Sequence, residues 1–218
     1  TQATAGTYSG VISGTGTTLT KAGAGALTLS GNSSYTGATT ISAGVLKLGS
    51  AGSGSNTPLG TTGAGTTVSS NGTLDLAGFT LATAEALTLN GTGTSSIGAL
   101  MNSGSAATYS GLVTLGSASS IIGGTGTITL SNVSTITGSG FGLTLGGAQG
   151  GTISSIIGTG TGTLTKQDAG TWNLAGVNTF TGNITINNSG GILAVTGSGS
   201  LSGTSTGVYS GSISIGSS

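Results

Sequence analysis

Six side chains carry charge in this 218-residue chain: Lys21, Lys47 and Lys166 against Asp75, Glu85 and Asp168. With His and Cys absent, these six and the serines are all that acid-base or nucleophilic chemistry has to draw on. Glycosidic hydrolysis needs two carboxyl groups converging on one cleft, one to protonate the leaving oxygen and one to activate water or attack. Asp75 and Glu85 stand ten residues apart and Asp168 lies far along the chain, so each reads as a solvated outer-face or turn residue. A nucleophilic serine needs a base, and without histidine that base would be a lysine. Lys21 and Lys166 recur at equivalent places in a repeat, which points to a structural or solvating role for both. The chain is not expected to be an enzyme.

Other ligand chemistries are equally thin. Calcium-binding solenoids place an Asp in each Gly-rich turn, and GGAQGG at 146–151 has none. The spacing Gly158-Thr159-Gly160-Thr161-Gly162 arises by accident in a chain with 47 glycines, and no helix follows it to receive a phosphate. No cofactor and no metal are expected. Zero formal charge removes the attraction that dominates nucleic-acid binding, and also the repulsion that keeps copies apart. No apolar run approaches the ~20 residues of a membrane helix, so no membrane insertion by this segment is expected. So few charges imply stability indifferent to salt and pH, and three lysines without arginine offer trypsin little. Trp172 alternates with Leu174 and reads as core, whereas Tyr35 and Phe180 follow Asn-containing turns, where stacking and turn packing are equally open. The Asn-x-Ser/Thr sequons from Asn32 to Asn187 are what a Ser/Thr-rich chain generates by coincidence.

The elements that would position these residues are short. Apolar-polar-apolar triplets recur at Leu27–Leu29, Leu46–Leu48, Leu74–Leu76, Leu87–Leu89, Val113–Leu115, Ile128–Leu130, Leu143–Leu145, Trp172–Leu174, Ile184–Ile186 and Ile213–Ile215. Period two puts two apolar side chains on one face of each, the pattern of a half-buried strand. Ser-Gly, Asn-Gly and Gly-Thr-Gly clusters between them supply turns. The best helical candidate, Ala82 to Leu87, is too short to stand alone.

A long-range repeat chooses between a sandwich and a solenoid. A shift of 145 residues carries Leu19–Ile41 onto Leu164–Ile186 without a gap, with 11 of 23 positions identical. Such a repeat predicts a parallel β-helix, each coil laying its strands on those of the coil before. At ~20 residues per coil the chain makes roughly eleven coils, one solenoid domain over 1–218 and a rod about 50 Å long.

The block LTKAGAGALTLSGNSSYTGATTISAGVLKLG resembles the autotransporter-associated β-strand repeat, also called the passenger-associated transport repeat. That pattern runs close to L-x-K-x-G-x-G-x-L-x-L-x-G-x-N-x-Y-x-G-x-T-x-I/V-x-x-G-x-L-x-L. Its positions fall here on Lys21, Gly25, Leu29, Gly31, Tyr35, Gly37 and Ile41, within a copy at 19–48. In the copy at 164–195 they fall on Lys166, Gly170, Leu174, Gly176, Phe180, Gly182 and Ile186. That second copy departs from the pattern: Asp168 replaces a Gly, Trp172 a Leu and Phe180 the Tyr, and two residues are inserted near Asn188. Residues 71–132 are similar to the spacer coils between such repeats. The resemblance implies a right-handed β-helix on a secreted or surface-displayed bacterial passenger.

Tyr-Ser-Gly occurs at Tyr8, Tyr109 and Tyr209, each followed by an alternating segment: Val11–Ser13, Leu112–Thr114 and Ser212–Ser214. The chain thus ends near the phase in which it began, and no polar cap is evident at either end. Tyr8, Val11 and Ile12 at one end, with Tyr209, Ile213 and Ile215 at the other, are the expected end-stacking residues. A heterologous contact that does not close gives a filament. The expected function is therefore that of a non-catalytic extracellular structural protein. Its expected partner is a further copy of itself, head to tail in a filament, matrix or surface layer, with surface or matrix components as further partners. Two alternatives stand beside it: a segment of a larger autotransporter adhesin, and an ice-binding solenoid presenting Thr-x-Thr pairs such as Thr18/Thr20 and Thr163/Thr165.

Overall fold

A computed structural model describes residues 3–187 and 191–201, and the backbone of 213–215. The chain is an all-β parallel solenoid of about nine turns. One rank of paired residues follows the whole molecule: Gly6, Leu27, Leu46, Leu74, Leu100, Ile121, Leu145, Lys166, Ile186 and Ile215, each beside the next. Steps along this rank run from 19 residues, Leu27 to Leu46, to 29, Ile186 to Ile215. The turns are thus fewer and longer than ~20 residues each would give, because corners such as 49–65 and 76–86 carry extra chain.

All ten triplets lie in strands, except that Leu76 falls one residue beyond the strand Thr66–Asp75. Their odd and even positions separate as period two requires. In Leu87–Gly91, Leu87 and Leu89 are buried and Thr88 is not. The inward side chains form one apolar column running from Leu29 to Ile184. Outward positions form columns of their own, one of them all threonine, Thr20, Thr40, Thr67, Thr88, Thr114 and Thr137, paired rung by rung. Strands cycle through three stacks in the C-terminal half. Leu143–Gly146, Leu164–Lys166, Ile184–Ile186 and Ile213–Ile215 make one. Gly150–Ile153, Thr171–Leu174 and Ile192–Val195 belong to the second. Thr135–Ile136 and Ile156–Ile157 pair in the third, which the bridge from Val177 to Ser200 carries on.

Ala82–Leu87, too short to stand alone as a helix, is not helical; the one helix among the described residues is a 3-10 turn at Thr94–Ser96. One sequence expectation fails locally: Val11–Ser13 is not a strand, since the first strand is Gly6–Tyr8, ending on the tyrosine itself. No helix among the described residues is long and apolar enough to cross a membrane.

Candidate functional site

Asp75 and Glu85, expected at the surface or in turns, are inside, and so are Lys21 and Lys166, for which a structural or a solvating role was expected. In Leu19–Lys21 and Leu164–Lys166, period two turns the lysine inward with the leucine, so Lys21 and Lys166 are only 2% and 1% exposed. Lys166 sits in the same rank as Leu145 and Ile186. Each long stem runs along the core and delivers its ammonium to a corner lined by carbonyls. Lys21 Nζ donates to Gly23 O at 2.7 Å and, across to the next coil, to Ala43 O at 2.9 Å. Lys166 Nζ donates to Gln167 O and Asp168 O, both at 2.6 Å. Burial lowers the pKa of both lysines, offset in part at Lys166 by the nearby Asp168 charge. The corner leaves no room beside the ammonium. A Cβ on Gly44 would stand 2.7 Å from Lys21 Nζ, and one on Gly191 would overlap Lys166 Nζ. Lys and Gly, more than 20 residues apart, thus form one structural unit in both copies.

The remaining repeat positions have equally concrete roles. A Cβ on Gly25, Gly31, Gly37, Gly170, Gly176 or Gly182 would overlap the backbone of the preceding coil. These glycines are therefore corners where two coils touch. Leu29, Leu174 and Ile41 are core, and Ile186, near the described C-terminal end, is half-buried. Tyr35 and Phe180 are both buried, Tyr35 with its hydroxyl 2.6 Å from Thr39 Oγ1. Trp172 is core as expected, and its Nε1 donates to Gly146 O at 3.0 Å. One pair escaped sequence reasoning. Ser33 and Asn178 are equivalent by the 145-residue shift, and each accepts an N–H from the preceding coil, Ile12 to Ser33 Oγ and Ile157 to Asn178 Oδ1. The signal lay in the pattern's Asn, filled here by Ser in one copy and by Asn in the other.

Asp75 and Glu85 overturn the solvated reading: they are 3% and 1% exposed. They do not converge on one another. Asp75 joins a cluster spanning three coils with Lys47 and Ser103. Its Oδ1 accepts N–H bonds from Ala77 and Ser103, each at 2.9 Å, and its Oδ2 accepts the Ser103 hydroxyl at 2.6 Å. Lys47 Nζ is 3.6 Å from Oδ2 and donates to Ser103 Oγ at 3.0 Å. This is the lysine-serine approach that the sequence left open, though at Lys47 rather than Lys21 or Lys166. Its direction is wrong for activating a nucleophile: the ammonium donates to Ser103, and the hydroxyl proton goes to a carboxylate already bound by backbone. The arrangement is a staple between coils. Asp75→Asn, which keeps an oxygen for the two N–H groups but loses the ion pair, should cost about 1–2 kcal/mol. Urea unfolding checks this.

Glu85 shares the inward face of Leu87 and Leu89. Thr66 Oγ1 donates to its Oε1 at 2.5 Å, while Oε2 is buried without a hydrogen-bond partner. Tyr109 donates its hydroxyl to the Glu85 carbonyl at 2.8 Å. Burial pushes the Glu85 carboxyl up to about 7, against the opposing pull of the Thr66 hydrogen bond. Tyr35 is pushed up to about 12 and Tyr109 also well up, chiefly by burial and further by the Glu85 charge. Stability is therefore expected to depend on pH through Glu85, against the indifference that so few charges imply. Asp168 does occupy a turn, at φ 61°, where its Oδ2 accepts Gly147 N–H at 2.7 Å. No group of three or more acidic side chains able to hold a metal occurs among the described residues.

At the N-terminal end the core is uncovered. A cavity of about 450 Å³ opens among Tyr8, Ile12, Leu19, Leu27 and Leu29. Tyr8 is 45% and Val11 58% exposed. Ile213 and Ile215 pair with Ile184 and Ile186, and Tyr209 lies outside the described residues.

The paired lysine-glycine corners and coil-contact glycines fall within two stretches, 19–48 and 164–195, that match the family model of the Passenger-associated-transport-repeat. The two matches cover 62 of the chain's 218 residues. The family implies a secreted or surface-exposed autotransporter passenger. Neither the curated proteins nor the solved structures yield a match to this chain. Residues 49–163, between the repeats, form coils of the same solenoid, so repeat and spacer are one fold.

Proposed function

We propose that the chain is a non-catalytic section of a secreted or surface-displayed passenger, supplying length, stiffness and an uncharged surface. The observation that carries this is the unbroken rank from Gly6 to Ile215, nine successive pairings with a continuous core beneath them. Its chemistry-bearing groups are consumed by the fold: Lys21, Lys166, Asp75 and Asp168 all hydrogen-bond to backbone, and Asp75 also to Ser103. What faces outward is chiefly Thr, Ser and Asn. The isolated chain should appear in negative-stain electron microscopy as a rod about 43 Å long, nine turns at about 4.8 Å each. On cells that display it, externally added proteinase K should remove its antibody signal. Trypsin should leave the folded chain largely intact, since Lys47, paired with Asp75, is its only lysine with substantial exposure. A compact particle, or a signal protected from protease on intact cells, would overturn the reading.

Ice binding is a second reading, favoured by the six-rung column Thr20 to Thr137, more regular than the Thr-x-Thr pairs visible in sequence. Thermal hysteresis that disappears in Thr67→Lys is its expected result. Its absence in the unmodified chain removes it.

A further inference from the structure

We propose that Asn71 is a site of spontaneous covalent modification, where the backbone nitrogen of Gly72 closes on the side-chain amide and converts the residue to an aspartyl or isoaspartyl one.

Asparagine is among the chemically labile residues, and a following glycine makes it more so, because its nitrogen is unshielded by a Cβ and its backbone turns freely. Two such steps occur in the chain, Asn71-Gly72 and Asn90-Gly91. They lie in neighbouring strands, Thr66–Asp75 and Leu87–Gly91, and the fold treats them oppositely.

At Asn90 both reacting groups are held. Its Nδ2 donates to Val68 O of the coil before at 2.8 Å, and a Cβ on Gly116 of the coil after would overlap its Oδ1. The amide is thus clamped between two coils. The attacking nitrogen is engaged as well, since Gly91 N–H donates to Ser117 Oγ at 3.1 Å.

At Asn71 the side chain is exposed, and among the described residues no hydrogen bond holds its amide. Thr94 Oγ1 donates to the main-chain carbonyl of Asn71 at 2.6 Å and leaves the amide untouched. The ladder also slips here. Ile41 pairs with Val68 and Ala43 with Asn71, so Ser69 and Ser70 together face the single Ser42. Alternation breaks with it: Ser70 and Asn71, neighbours in sequence, are both exposed. A bulge bends its strand locally, and the reaction needs the chain to bend at this step.

The Gly72 nitrogen attacks Asn71 Cγ and loses its proton to water, the Cγ–Nδ2 bond breaks, and ammonia leaves a five-membered imide. Water then opens the ring. Cleavage at Cγ gives the aspartyl chain, and cleavage at the main-chain carbonyl gives the isoaspartyl one. One water is consumed, one ammonia is released, and nothing is oxidised or reduced. The product carries a new negative charge on a chain whose formal net charge is zero. The isoaspartyl form also lengthens the main chain by one methylene just before Gly72, where even a Cβ would overlap Ile41 O. Thr73, the next residue, ties coils together through its Oγ1, which donates to Gly98 O at 2.8 Å and accepts Thr94 N–H at 3.0 Å. The converted chain should therefore unfold at lower urea concentration.

The test is to incubate the full chain at mildly alkaline pH, folded and in urea, and to follow it by isoelectric focusing and by tandem mass spectrometry of peptic peptides. In the folded chain an acidic band should grow with time, and the mass gain of amide-to-acid exchange should fall on Asn71 and not on Asn90. In urea both should convert. Asn71→Gln keeps an exposed amide but would need a larger ring, and should abolish the band in the folded chain. A folded chain that stays neutral while the unfolded one converts would overturn the proposal. So would an acidic band that persists in Asn71→Gln, or conversion of Asn90 in the folded chain as fast as that of Asn71.

Discussion

Acidifying this protein from pH 7.5 to 4.5 is expected to stabilise it, by up to about 3 kcal/mol, the reverse of ordinary acid denaturation. The cause is Glu85. In the unfolded chain its carboxyl titrates near the ordinary 4.5, and in the fold burial lifts it to about 7. Between those values the folded protein holds a proton that the unfolded chain gives up. This contribution is fully present below pH 4.5, fades as pH rises through 7, and is absent above. A gap of two to three pH units corresponds to about 3 kcal/mol. The geometry agrees with the sign: Oε1 has one donor, Thr66 Oγ1, and Oε2 has none. A neutral acid is far less costly to leave so placed than a carboxylate.

The measurement is urea unfolding at pH 4.5, 6 and 7.5 at constant ionic strength. Glu85→Gln, which keeps the shape but cannot ionise, should flatten the profile and at pH 7.5 match or exceed the unmodified chain. A profile that falls with acid, or one that keeps its slope in Glu85→Gln, would count against this account. Tyr35 and Tyr109 add a second decline with the same sign at the alkaline end, since both are pushed above the usual tyrosine range.

The alternation of Leu87 and Leu89 extends backward through Glu85, so period two alone implies its inward position. An acid is rarely buried, and composition therefore points the other way. The lysines obey the same period. Leu-Thr-Lys has the spacing of Leu-Thr-Leu, and the structure treats the two alike, pairing Leu145 with Lys166. Asp75 is different: it stands between Leu74 and Leu76 on the outward side, as expected, and is covered only because the chain returns over it at Ser103, 28 residues later. No local pattern carries that. The fold was legible because the apolar triplets and the 145-residue repeat gave strand and stack independently. The turn count was less so, because corner lengths vary and corners carry no period.

The other large effect belongs to the lysine-glycine corners. Lys21→Met keeps the stem's packing and removes the ammonium, leaving the carbonyls of Gly23 and Ala43 without that donor. Hydrogen bonds from a charged group contribute about 1.5–3 kcal/mol each, and relief from burying the charge returns part of that. The expected net loss is about 2–4 kcal/mol. Lys166→Met, with two carbonyl partners of its own, should cost a similar amount. The two sites are separated by several coils and share no partner, so the double variant should be additive. Gly44→Ala attacks the same corner from the other side. At φ 71° the left-handed backbone alone penalises a side chain by about 1–2 kcal/mol, and the new methyl would stand 2.7 Å from both Lys21 Nζ and Gly25 O. Because Lys21→Met removes one of those collisions, combining it with Gly44→Ala should cost less than the sum of the two. If Lys21→Met were neutral in urea unfolding and strictly additive with Gly44→Ala, the ammonium would contribute nothing to the corner. The recurrence of Lys with Gly in both repeats would then need a cause outside the folded coil.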